Sequence, residues 1–169
     1  MTLSAYLNME MEQSSQFLTL LGGFLLLIAA VCVRIICGPP YQMMLQLGIS
    51  DLIPPVWLMT LLCLASFFLI GCAAGLVLGY RRASVQAEKY KGCLLFVLLA
   101  MLELLWYPTL FVKGLVLLSV LEALLMLFLG ICVTVSFLKI SRFSGTVMIF
   151  HDMFLIYLCV LAFAILFRN

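Results

Sequence analysis

Five stretches of this chain stay apolar for about as long as a helix needs to cross a lipid bilayer, roughly 20 residues each. They run at about 16–37, 55–79, 92–111, 115–138 and 147–167. That pattern predicts an all-α integral membrane bundle of five transmembrane helices. Composition agrees. Hydrophobic residues make up 67% of the chain, where a soluble domain holds roughly 45–50%, and charged residues make up only 9%. A soluble protein of 169 residues could not hide that much apolar surface. Disorder and a disulfide-stapled secreted scaffold are excluded on the same grounds.

The domain proper is expected over 16–169, behind a polar leader at 1–15 that carries Asn8, Glu10, Glu12, Gln13, Ser14 and Ser15. This leader lacks the positive n-region of a signal peptide, so the first apolar run reads as a true span. The connection at 38–54 holds Gly38, Pro39, Pro40, Asp51 and Pro54, with Pro55 following, and cannot be one continuous helix. Lys113 and Gly114 mark a tight turn that makes the third and fourth spans an antiparallel hairpin. Arg81, Arg82, Lys89, Lys91, Lys139 and Arg142 fall on one side of the membrane. Arg34, Lys113 and Arg168 fall on the other, so the positive-inside rule places the N-terminus in the cytoplasm.

Several chemistries lack their signature. The net charge of +2 and the missing basic, aromatic-interleaved run argue against nucleic acid. The seven cysteines stand singly, without the paired spacing of a zinc or redox site, and read as small packing residues. No phosphate loop, triad spacing or H-E-x-x-H helix occurs, and an enzyme is not expected.

Ionisable groups inside a span are costly, about 2.5–3.5 kcal/mol each on insertion scales, and each asks for a reason. Glu103, Glu122, His151 and Asp152 are such groups. Glu103 precedes Lys113 by ten residues and Glu122 follows it by nine. At the helical rise both carboxyls reach roughly 14 Å from that turn. His151 enters from the opposite surface to a similar depth. Two readings follow: a polar-dotted pocket or proton pathway between helices, or carboxyls hydrogen-bonded across helices merely to fix packing. A second feature is the Gly71, Gly75, Gly79 stripe, which admits the close approach of a helix of this chain or of a second copy, making a homodimer one expected partner.

From the third span onward the residues resemble the translocator protein family (tryptophan-rich sensory proteins, the peripheral benzodiazepine receptor). Leu102, Glu103, Trp106, Pro108 and Phe111 stand where that family has a pattern like L-N-x-x-W-x-P-x-x-F. Glu122, Thr134, Phe137 and Ser141 resemble the fourth helix. Phe150, His151, Phe154, Leu161, Ala162 and Asn169 follow the fifth without a gap. Earlier, Pro55-Val56-Trp57 is similar to the P-V-W that opens the second helix, and Tyr41 to an aromatic of the first loop. The resemblance covers roughly 41–169. Glu103 replaces an Asn, Phe150-His151 a Pro-Tyr pair, Ala162 an Asn, and only two Trp remain.

The resemblance implies a five-helix bundle that binds a hydrophobic small molecule beneath the loop at 38–54. Tetrapyrroles such as haem or protoporphyrin are the leading class, with sterols or membrane lipid next and no obligatory cofactor. It implies Trp57, Trp106 and Phe154 as aromatic walls, Leu158 and Leu161 as apolar lining, and Glu122 as a buried polar anchor. Glu103 and His151 complete the expected ligand site, His151 also as a candidate haem-iron ligand. Two alternatives come from other classes: a proton- or ion-coupled transporter using Glu103, Glu122, His151 and Asp152, and a structural subunit docking through the glycine stripe. The expected host is a bacterial cytoplasmic membrane, with the mitochondrial outer membrane as the second choice.

Overall fold

Inside hydrocarbon each backbone N–H and C=O must be satisfied within the chain, which favours uninterrupted helices over any open arrangement. A computed structural model of the chain describes residues 3–38, 55–80 and 86–168, and among them no strand occurs. Five helices carry the fold: α1 Leu3–Cys37, α2 Val56–Gly79, α3 Gln86–Phe111, α4 Val116–Ile140 and α5 Arg142–Arg168. Each contains a stretch long and apolar enough to cross a membrane. The protein is an integral membrane protein. The Pro-rich connection beyond Gly38, the Arg81-Arg82 pair, Tyr41 and Asn169 lie outside the described residues.

Three helix starts differ from the hydropathy reading, the first being α1, which begins at Leu3 rather than near 16 and so takes in the polar leader. α3 begins at Gln86 rather than near 92, and α5 at Arg142 rather than near 147. Both extra segments are polar, so hydropathy stops where the helix does not. Lys89 shows what the extension does: its Nζ donates to the carbonyls of Leu78 at 2.6 Å and Tyr80 at 3.0 Å, capping the end of α2. Lys139 of α4 pairs with Glu88 of α3 at 3.1 Å on the same side of the bundle. Exposed pairs of this kind contribute about 0–1 kcal/mol, so this one orients more than it stabilises.

The helices close into a ring in the order α1, α2, α5, α4, α3, with α3 returning to α1. The tightest approach is α1 on α2. A Cβ built on Gly71 would collide with the Gly22 carbonyl, and one on Gly75 with the Leu18 carbonyl. Gly71 and Gly75 therefore spend the small-residue stripe inside this chain, which removes them as the contact of a separate subunit or second copy. The α3–α4 hairpin turns at Gly114, whose φ of 64° needs a residue without Cβ. Lys113 N–H donates to the Pro108 carbonyl there and Leu115 N–H to that of Thr109, ending α3 within a few residues.

Side chains fully withdrawn from the surface sit along the ring's inner seam: Ile70 and Val77 of α2, Leu99 and Leu110 of α3, Met126 and Phe137 of α4, Leu155 and Ile165 of α5. Phe96 and Phe137 stack with centroids 6.0 Å apart, closing the lower α3–α4 contact. The outer faces are apolar as well; Phe128, Ile131, Ile156 and Val160 stand exposed where lipid would cover them.

Candidate functional site

The upper half of the ring does not fill. Between the helices lies a narrow crevice, with ≈ 60 Å³ of water-accessible space inside a region of ≈ 600 Å³ that includes open solvent at its edge. All five helices contribute to its wall: Val33 and Arg34 from α1, Cys63 and Phe67 from α2, Trp106 and Tyr107 from α3, Met126 from α4, Phe154 and Leu158 from α5. The crevice lies in the half of the bundle toward the Cys37 end of α1 and the Val56 end of α2. The wall is mostly apolar with a few placed polar groups, the usual make-up of a small-molecule site.

Trp106 is held in that wall by both ends of its chemistry. Its Nε1–H donates to the Ser119 carbonyl at 3.0 Å, and Phe111 packs edge-on at a centroid distance of 6.0 Å. Ser119 in turn donates to the Leu115 carbonyl at 3.0 Å. With its N–H bound to α4, the indole meets the crevice as an apolar face.

At the end of the crevice nearest Cys37, Arg34 turns inward. Its Nη2 donates to Thr60 Oγ1 at 2.6 Å and its guanidinium lies 4.8 Å from the centroid of the Tyr107 ring. The Tyr107 hydroxyl donates to the Gly38 carbonyl at 2.7 Å, which fixes the ring beneath the charge.

At the floor, Glu103 of α3 meets His151 of α5, Oε1 to Nε2 at 2.7 Å. Ser66 of α2 lies 2.7 Å from His151 Nδ1 on the other side of the ring. The chain is satisfied with a neutral imidazole, Nε2–H donating to Glu103 and the Ser66 hydroxyl donating to Nδ1. It is equally satisfied with an imidazolium that donates from both nitrogens. Glu103 belongs to the interior crevice, while Ser66 and His151 line a second groove on the outer face between α2 and α5. Phe154 borders both. Serine, histidine and a carboxylate in line resemble a hydrolase triad by residue type alone. The N–H groups around Ser66 are already committed within α2, leaving no donor pair for an oxyanion.

The structure scatters the remaining sequence-derived residues. Trp57 is 70% exposed on the outside of α2 and does not line the crevice, because the first turn of α2 presents it away from the ring. Leu161 is packed in the core beyond Leu158, toward the upper end of α5, and does not line the crevice. Glu122 accepts from Thr109 Oγ1 at 3.3 Å between α3 and α4 and is likewise absent from the crevice wall. Asp152 accepts from Thr134 Oγ1 at 2.7 Å between α4 and α5, seated beside Gly130, where a Cβ would come within 2.5 Å of its Oδ1. The four ionisable groups thus do not form one cluster: Glu103 and His151 meet, while Glu122 and Asp152 each bridge a different helix pair. As for haem iron, both His151 ring nitrogens are engaged, and His151 does not line the interior crevice.

Ser66 and Arg34 carry the part that sequence reasoning missed. Nothing marks a lone Ser in an apolar helix. Arg34 does carry a signal, a cation inside an apolar run. Among the described residues no group of three or more His, Cys, Asp or Glu is arranged to hold a metal ion.

The family model described as TspO/MBR family matches residues 23–168, from the middle of α1 to the end of α5. No curated protein and no solved structure matches the chain.

Proposed function

Because the chain belongs to the TspO/MBR family, we propose that it binds a hydrophobic ligand in the crevice inside its helix bundle, in the service of transport or sensing. Tetrapyrroles such as haem or protoporphyrin are the first class to consider, and sterols or lipids the second. The observation that carries this reading is the crevice itself: five helices enclose it, aromatic and aliphatic side chains wall it, and Trp106 is locked there with its only polar atom turned away. A flat apolar ligand would exchange lipid or water contacts for Trp106, Phe67 and Phe154.

The test is a titration of purified protein with protoporphyrin IX and with haem, followed by ligand absorbance. Saturation at micromolar ligand is expected in the wild type, with loss of saturation in Cys63→Phe, which fills the crevice. Non-saturating uptake in the wild type, matching that of empty micelles, would sink the reading.

The Ser66–His151–Glu103 chain favours a second reading, a proton-coupled transporter. A chain whose imidazole is satisfied in two protonation states, with Glu103 on the inner crevice and Ser66 and His151 on the outer groove, is suited to carry a proton between them. Uptake into proteoliposomes that responds to an imposed pH gradient, and loses that response in His151→Gln, is the outcome it requires.

A further inference from the structure

A cation three residues from the end of a membrane helix ordinarily extends outward to the headgroups, where water is within reach. Arg34 stands three residues before the end of α1 at Cys37, yet it reaches inward to Thr60 of α2 and over the Tyr107 ring of α3. It is one of the residues that bound the crevice. A guanidinium carries five N–H donors in a fixed fork. Thr60 takes one of them, and no carboxylate among the described residues lies within ion-pair distance: the ion pairs are Lys139–Glu88 and His151–Glu103. The crevice is therefore electrostatically lopsided. Its floor carboxylate is already matched by a histidine, and its opposite end carries a positioned cation with donors to spare among the described residues.

We infer that Arg34 is the anchor for an oxyanion on the bound ligand, so that the crevice selects amphipathic molecules with an apolar body and a carboxylate or phosphate at one end. The body lies against Trp106, Phe67 and Phe154, and the anionic group sits at the Arg34 end of the crevice in the arginine fork. Geometry favours arginine here, because two parallel N–H donors match the two oxygens of such a group. Thr60 and Tyr107 hold the guanidinium in place before the ligand arrives, which lowers the ordering cost of binding. This inference rests on the crevice being the ligand site and adds the ligand's polar chemistry.

The test compares protoporphyrin IX, a dicarboxylic acid, with its neutral dimethyl ester on protein in phosphatidylcholine nanodiscs. The wild type should bind the diacid about 10-fold or more tighter than the diester, the worth of one charge-assisted contact. Arg34→Gln should bring the diacid down to the diester and leave the diester unchanged. Arg34→Lys, which keeps charge and loses the fork, should fall between, and it decides the matter should Arg34→Gln not fold. Equal affinities of diacid and diester in the wild type overturn the anchor while leaving the crevice reading intact. Saturation by neither ligand removes the crevice reading itself. Adding phosphatidylglycerol separates the two sources of the oxyanion. Competition with the diacid in wild type but not in Arg34→Gln identifies a lipid phosphate as a natural occupant. No competition leaves the site to a free carboxylate ligand.

Discussion

Glu103 Oε1 and His151 Nε2 approach to 2.7 Å across the bundle, and both side chains are almost wholly enclosed, at 5% and 2% exposure. The pair ties α3 to α5 across the floor of the crevice, and Ser66 extends the tie to α2. Such a connection is costly to break from one side, because the abandoned partner stays buried without a mate. Replacing both partners by apolar side chains removes the debt together with the bond.

His151→Leu is therefore expected to lower stability by about 3–5 kcal/mol, as for one partner lost from a buried pair. Glu103→Leu should cost a similar amount. The double variant should lose clearly less than the two added together. Unfolding in lipid bicelles, run as a double-mutant cycle, checks this; strict additivity would mean the 2.7 Å contact carries no coupling.

The α1–α2 contact makes a second prediction. Gly75→Ala drives a methyl into the Leu18 carbonyl, which belongs to backbone and cannot swing aside. A loss of about 1–3 kcal/mol follows from overpacking. Gly75→Leu should separate α1 from α2 altogether, visible as faster proteolysis of α1 in detergent. Val97→Ala, on an exposed face of α3, serves as the control and should change neither reading.

The two tryptophans should report different surroundings. Trp106 is 4% exposed and Trp57 is 70% exposed. Acrylamide should quench the Trp106→Phe variant, which retains Trp57, several-fold more strongly than Trp57→Phe, which retains Trp106. Equal quenching would contradict the placement of Trp106 in the inner wall.

Glu122 offers a prediction against the residue's expected role. It lies between α3 and α4 on Thr109, away from the crevice wall. Glu122→Gln should leave porphyrin affinity within about 2-fold of wild type, since a substitution without shared partners is nearly independent of the site. A binding titration of the two proteins decides it; a large loss would return Glu122 to the ligand site.

How far the sequence went can be read from these same residues. The spans were legible because the hydrocarbon thickness imposes their length. Helix ends were not, since Gln86–Lys91 and Arg142–Gly145 remain helical where the bilayer no longer demands apolar side chains. Depth was legible too: counting from Lys113 put Glu103 and Glu122 at one level. Direction around the helix axis was not, because with lipid outside and protein inside both apolar, hydropathy hardly varies around a helix. That is why Glu103 could face α5 while Glu122 faces α3. The partner of Gly71 and Gly75 was present in the sequence as Gly22-Gly23, yet only the assembled pair shows that these four meet. The resemblance at the start of α2 implies Trp57 as a wall of the site, whereas its position on the outer surface follows from the rotation of that helix, which the resemblance does not fix.

The most direct test of the ligand-binding crevice uses its own wall as the probe. In Trp57→Phe the only remaining tryptophan is Trp106, on the crevice surface. Titrating this variant with protoporphyrin IX in nanodiscs should quench Trp106 emission along a saturable curve at micromolar ligand, and the curve should flatten in Trp57→Phe/Cys63→Phe. Quenching that rises linearly without saturation, and equally in both variants, would mean that the porphyrin dissolves in the lipid around the bundle rather than entering it.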